Sequence, residues 1–196
     1  MNRKVIDYLL SSAGLVVAIV LLAVGGLMVW GHVFIDNQIH SQLASQKIFF
    51  PPKGSPAIAG PQFVAMQKYA GQELTTGAQA QVYANHFIAV HLSEVAAGKT
   101  YAQVSTAALA DPKNLTLQGQ KTTLFQGTTL RGLLLNAYAF GTVATIAGIG
   151  AIVSFVGAAI LLVLAGLGFV HAQRVGRAVE ASATAATEER REVKAA

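Results

Sequence analysis

Leu133 to Val170 is a run of 38 residues without one charged side chain, LLLNAYAFGTVATIAGIGAIVSFVGAAILLVLAGLGFV. A helix needs about 20 apolar residues to cross the hydrocarbon of a bilayer. The run therefore predicts a transmembrane helix longer than one crossing requires. As helix it would extend about 57 Å, against a core of about 30 Å. Two crossings would need a turn, and Gly148-Ile149-Gly150 leaves halves too short to span. One long helix, tilted or projecting, is the expectation.

A second apolar run precedes it. From Tyr8 to Ile35 there is no charge, Arg3 and Lys4 stand before it, and His32 and Trp30 lie near its far end. Trp30 is placed as an interfacial anchor. A signal peptide has an apolar stretch of only about 7–15 residues and a small-residue cleavage site. Here the run is longer and continues as FIDNQIHSQLASQK. It reads as an uncleaved anchor. Composition agrees: 53% of residues are hydrophobic and 12% charged, where soluble domains carry about 25% charged residues.

These runs divide the chain into a cytoplasmic N-terminus (1–7), a first span (8–35), an extracytoplasmic segment (36–131), a long second span (132–171) and a charged cytoplasmic tail (172–196). Two spans put both termini on one side. Counted near the span ends, Arg3, Lys4, Arg174 and Arg177 on one side, with Arg190, Arg191 and Lys194 further out, stand against Lys47, Lys121 and Arg131 on the other. The bias places the termini inside, at the plasma membrane. The net charge of +5 is membrane-flanking and dispersed, which argues against nucleic acid as a partner. There is no cysteine, so disulfides, thiolate metal sites and cysteine nucleophiles are excluded.

Residues 36–131 are more polar. Four of the five prolines fall at 51, 52, 56 and 61. Proline removes donors and fixes φ, so FFPPKGSPAIAGPQF is expected to run extended, with Phe49 and Phe50 packed on the domain. Ala78 to Ala97 lacks Gly and Pro and ends at Gly98; Val82, Phe87, Ile88, Val90, Leu92 and Val95 recur at helical spacing. A helix is expected there, a short one over Thr100–Ala108, and a turn at Asp111-Pro112. Another helix is expected to start near Thr122 and run unbroken into the membrane. Asn114-Leu115-Thr116 matches a glycosylation sequon and reads as a chance match. The fold class is thus mainly α: two transmembrane helices joined by a mostly helical, Pro-rich extracytoplasmic segment.

Little in the chain points to catalysis. His86 and His91 lie five apart, whereas metal-binding pairs on a helix prefer three or four. The outer carboxylates Asp36, Glu73, Glu94 and Asp111 are scattered, so no acid/base pair suggests itself. No nucleophile elbow, P-loop or dinucleotide fingerprint occurs. Neither span carries an ionisable group at mid-depth. No enzyme activity, cofactor or metal site is expected. Small residues do form a pattern. Gly14 and Ala18 lie one turn apart on the first span. Ala137, Gly141 and Thr145, and on a second line Gly150, Ser154 and Ala158, recur every four residues on the second. Such lines let helices approach closely, here the other span or a partner chain.

The helix bearing His86 and His91, followed by Gly98-Lys99-Thr100-Tyr101 and Asp111-Pro112, resembles a family of small actinobacterial two-span membrane proteins. So does the run from Thr122 through Thr129-Leu130-Arg131-Gly132-Leu133 into Ala139-Phe140-Gly141. Members of that family often carry a label taken from a ring-opening dioxygenase. The resemblance implies topology; no two-His-one-carboxylate spacing supports the label. The expected partners are the lipid bilayer and other membrane subunits. The expected role is that of a non-catalytic accessory or stabilising subunit of a larger membrane complex, respiratory or electron-transferring among the options. The rival expectation is an extracytoplasmic ligand-binding or sensor module held by two spans.

Overall fold

The computed structural model describes the backbone of residues 3–195 and the side chains of residues 5–178, 181, 182, 184, 185 and 191. The expectations for the side chains of Arg3, Lys4, Arg190 and Lys194 lie outside these. Five α-helices follow one another: α1 (Arg3–Ala44), α2 (Gly77–Tyr83), α3 (Ala89–Val95), α4 (Tyr101–Ala110) and α5 (Leu115–Ala195). Two 3₁₀ segments, Pro56–Ile58 and Pro61–Tyr69, lie between α1 and α2, and a π-helical turn, Ala84–Ile88, joins α2 to α3. Among the described residues the β pairing is one isolated antiparallel bridge, Phe49 to Glu73. The fold is mainly helical, and α1 and α5 are both long and apolar enough to cross a membrane.

The chain divides into two compact units, one built from α1 up to Trp30 and α5 from Gly148, the other from Gly31–Ala147. In the first unit the helices run antiparallel. Cβ atoms built on glycine show where the backbones come close: Gly14 3.9 Å from the Ala165 methyl, Gly157 3.3 Å from Leu21, Gly25 3.0 Å from the Phe155 ring and Gly150 2.9 Å from Met28 Sδ. The buried line on α1 is Ser11, Ala18 and Gly25; on α5 it is Ala151, Ala158, Ala165 and Ala172. Both lines repeat every seven residues. Seven residues bring a helix back to within about 20° of its starting face, the geometry of a left-handed coil. Four residues overshoot by about 40°, so Gly14 and Ser154, four residues from Ala18 and Ala158, flank this line. Large apolar side chains such as Leu10, Val16, Leu27, Ile152, Val153 and Leu167 point outward.

In the unit Gly31–Ala147, segments between the helices pack on Ile39 and Leu43 of α1 and Leu134 of α5. Phe50, Ile58, Phe63, Met66, Leu74, Ala80, Ala84 and Ile88 complete the core. The Phe50 N–H donates to Gln72 O at 2.9 Å and Leu74 N–H to Ile48 O at 2.8 Å, which pins the start of the Pro-rich stretch to residues 72–74. That stretch is only partly extended. Pro56 and Pro61 each sit in the first turn of a 3₁₀ segment, where proline's missing donor costs nothing. Of the two phenylalanines expected to pack, Phe50 is 1% exposed and Phe49 56%. The bridge pairs Phe49 with Glu73, and side chains alternate across an extended strand, so one faces in and its neighbour out.

The helix expected over 78–97 is present as α2, the π turn and α3. Thr76 caps it through a capping box with Gln79, whose Oε1 accepts from Thr75 N at 2.8 Å and Thr76 N at 3.0 Å. It ends in two left-handed residues, Ala97 (φ 49°) and Gly98 (φ 78°), with Gly98 N donating to Ser93 O at 2.8 Å. Thr100 caps α4 in the same way with Gln103. One expected boundary moves: α5 begins at Leu115 rather than near Thr122. Asn114, the sequon residue, is the cap, with its Oδ1 accepting from Leu117 N at 3.1 Å. The extra turns are tied back by Gln118 and Gln120, which donate to the carbonyls of Ala108 and Val95, both at 2.8 Å, and just beyond them Leu124 packs with Val104 of α4 and Ala96.

Gly77 opens α2 against α5. A Cβ there would lie 2.9 Å from Ala137 O and 3.2 Å from Tyr138 Cα. Neither backbone atom can swing aside as a side chain can. Gly77→Ala should therefore lower the unfolding free energy by about 1 kcal/mol or more, despite alanine's better helix propensity. Denaturant titration of the full chain in detergent, beside Ala78→Gly as a propensity control, checks the sign.

Candidate functional site

The five histidines are spread over both units, and each ring makes at least one contact except where noted. His91 Nδ1 lies 2.8 Å from Phe87 O, and its ring stacks 4.3 Å from Phe87 and 6.0 Å from Phe63. His86 Nδ1 lies 3.2 Å from Gln62 O. A carbonyl only accepts, so in both rings Nδ1 is the donor. The two side chains are held by different parts of the core and do not converge. Neighbouring Tyr83 stacks at 4.8 Å on Phe87, and burial pushes its phenol above the ordinary value.

His32 occupies the next seven-residue position after Gly25 on α1. Its Nδ1 donates to Ala144 O at 2.8 Å, and Nε2 faces Asp36 Oδ2 at 3.6 Å. Ala144 is fully buried, and its small side chain leaves room for the imidazole. A polar ring on an apolar helix face is thereby satisfied across to the other helix. His171 Nε2 lies 3.9 Å from Asp7 Oδ2, a buried oxygen without a hydrogen-bond partner. His40, for which no polar contact is described, lines a recess of the unit Gly31–Ala147. Among the described residues no three His, Cys, Asp or Glu side chains gather as a metal site.

The small residues that were candidates for helix contact are placed as follows. In the first unit Ala18 and Ala158 are fully buried, Ser154 is buried, and Gly14 and Gly150 lie at the close approaches to Ala165 and Met28. In the second, Gly141 lies against Gly77 and the Ile39 side chain, and the Ala137 carbonyl lies under Gly77. Thr145 is exposed, with its hydroxyl donating to Gly141 O at 2.9 Å. Most of these positions are thus taken up by the chain's own helices. In the first unit the seven-residue line was visible in the sequence as Ser11, Ala18 and Gly25, and as Ala151, Ala158, Ala165 and Ala172.

Two recesses flank the α1–α5 pair in the unit Gly31–Ala147. One, of about 530 Å³, is polar and includes Asp36, His40, Thr76, Tyr138, Thr142 and Thr145. The other is a groove of about 520 Å³ between residues 34–48 and 130–140. Its floor is Ile39, Leu43, Leu134 and Ala137, one edge carries the amides of Gln38, Gln42, Gln46 and Asn136, and no charged side chain lines it. Gln38 and Gln42, four residues apart, share one face of α1, and Gln46 lies just past the helix end at Ala44. Close to these recesses Arg131 donates from Nη2 to Asn85 Oδ1 at 2.9 Å, while its Nε is buried without a partner. The arrangement can bind and hold, and its charged groups are dispersed. No protein-family profile, curated protein or solved structure matches the chain.

Proposed function

We propose that the chain is an integral protein of the plasma membrane, with α1 and α5 each crossing once, residues 36–131 outside and both termini cytoplasmic. Its role in this reading is that of a non-catalytic accessory or stabilising subunit within a larger membrane complex, of which an electron-transfer assembly is one possible host. The small two-span actinobacterial proteins that the sequence resembles imply this topology and not the role. One observation carries the membrane reading. Small residues fill the seam of the helix pair while large apolar side chains face outward. Only 11% of the most apolar window of α1 and 17% of that of α5 is buried. A core helix of a soluble protein hides its apolar residues. In lipid the outside is as apolar as leucine, and close packing of small residues holds helices together instead. The exposed Arg174 and Arg177 beside α5's apolar run favour the cytoplasmic side for its end.

The absence of cysteine makes a direct test available. Single variants Lys53→Cys and Ala181→Cys, at exposed positions, are treated with a membrane-impermeant maleimide. Lys53→Cys should label in intact cells, and Ala181→Cys only after permeabilisation. Equal labelling of both in intact cells would sink the topology. The accessory role is checked by gentle detergent purification: a stoichiometric membrane partner is expected, and a partner-free monomer would overturn it. The polar recess beside Asp36 and Thr76 favours a second reading, an extracytoplasmic ligand-binding or sensor module. A stabilising ligand in a thermal-shift screen of the full chain would select it.

A further inference from the structure

We infer that the apolar groove between α1 and α5 holds one acyl chain of an outer-leaflet lipid, lying along the helix pair. The inference rests on the membrane reading and adds a specific site to it. Three features point to this occupant. The groove's volume of about 520 Å³ falls in the range of small-molecule sites, about 300–1,000 Å³. It runs along α1 from Phe34 to Leu43, about 14 Å at the helical rise, comparable with one hydrocarbon leaflet of about 15 Å. It also begins where the charge-free run of α1 ends, at Ile35, so its lower end opens at the level of lipid.

The lining matches the same chemistry. Ile39, Leu43 and Leu134 are buried at the floor. Phe34, Leu133 and Phe140 stand at the rim, half or more exposed, and continue the apolar surface that faces outward. Without a Lys, Arg, Asp or Glu in the wall, nothing balances a charged headgroup inside the groove. An alkyl chain carries no charge and needs none. The amides of Gln38, Gln42 and Gln46 supply donors and acceptors along one edge, and Gln42 Nε2 already donates to Gln38 Oε1 at 3.4 Å. They suit the ester and glycerol region of a lipid at the point where the chain leaves the hydrocarbon.

The full chain is reconstituted in phosphatidylcholine vesicles that include phosphatidylcholine with a diazirine on one acyl chain. After illumination, adducts are mapped by peptide mass spectrometry. Adducts in 34–48 and 130–140 should exceed those on the equally apolar face 149–156 by several-fold. Gln42→Phe and Gln38→Phe, both at exposed positions, place a ring in the groove and should abolish the excess while leaving labelling of 149–156 unchanged. Even labelling of all apolar faces would overturn the proposal and leave the membrane reading standing. So would labelling of 149–156 with none in the groove, as when a partner helix fills it. No labelling anywhere would overturn both.

Discussion

Replacing Phe50 by alanine should lower the stability of the unit Gly31–Ala147 by about 3–5 kcal/mol, the usual cost of a large aromatic lost from a packed core. The side chain is 1% exposed. Its ring centroid lies 5.3 Å from those of both Tyr69 and Tyr83, edge-on to Tyr83. Truncation therefore removes apolar burial, two favourable ring contacts and the packing between three separate segments. The cavity cannot close easily, because backbone hydrogen bonds to Gln72 fix the chain at Phe50. The effect should appear as faster proteolysis within residues 45–115 at denaturant concentrations that leave the parent chain intact. Phe49→Ala is the matched control. That ring is more than half exposed, and its loss should stay within about 0.5 kcal/mol. Equal effects at the two positions would show that the Pro-rich stretch is not packed as described.

The second large effect belongs to the helix seam. Ala158→Leu is expected to destabilise the pair by about 3 kcal/mol, the upper end of the ordinary range for overpacking. Ala158 is fully buried, and it lies between the close approaches at Phe155–Gly25 and Ala165–Gly14. A leucine there would push two backbones apart at a point where glycine and alanine set their separation. In lipid no hydrophobic gain offsets this, because the outward faces are already apolar. Ala18→Leu, on the facing helix, should act alike, and the double variant should be less than additive, since one separation relieves both. Val153→Leu, an exposed apolar position, should be neutral. Unfolding of the detergent-solubilised chain, followed by helix signal and by the exposed Trp30 in α1, measures all four. An unperturbed Ala158→Leu would mean that α5 does not pack through this line.

The consequence for function is that the small-residue lines are not a free docking face. Gly14, Ala18, Gly150, Ser154 and Ala158 are engaged inside the chain. A partner would meet large apolar side chains on the outward faces of α1 and α5, or the unit Gly31–Ala147.

Much of the chain was legible from one dimension. Two uncharged apolar runs are long enough to cross a bilayer, and that follows from counting residues. The helix starts at Thr76 and Thr100 rest on local capping chemistry, and the stop at Gly98 on glycine's freedom at positive φ. Proline at 56 and 61 marks the irregular stretch. Each of these depends on neighbours within a few residues, so no tertiary contact can move it far. The start of α5 was placed late because Thr122 looks like a helix entry, whereas the turns from Leu115 gain stability from packing on α4 that the local sequence does not reveal.

What only the tertiary structure decided is which side of each helix is inside. Four-residue and seven-residue lines of small residues both exist in α1 and α5. Only two helices wound together select the seven-residue line, because it alone keeps returning to the partner's face. The same selection made Phe50 core and left Phe49 exposed, tied His32 to Ala144, and set Gly77 against α5. It also left the groove beside Gln38 and Gln42. The long run 133–170 by itself announced an apolar helix long enough to cross a membrane. The antiparallel partner at close range determined which of its residues build the protein and which remain to meet the surroundings.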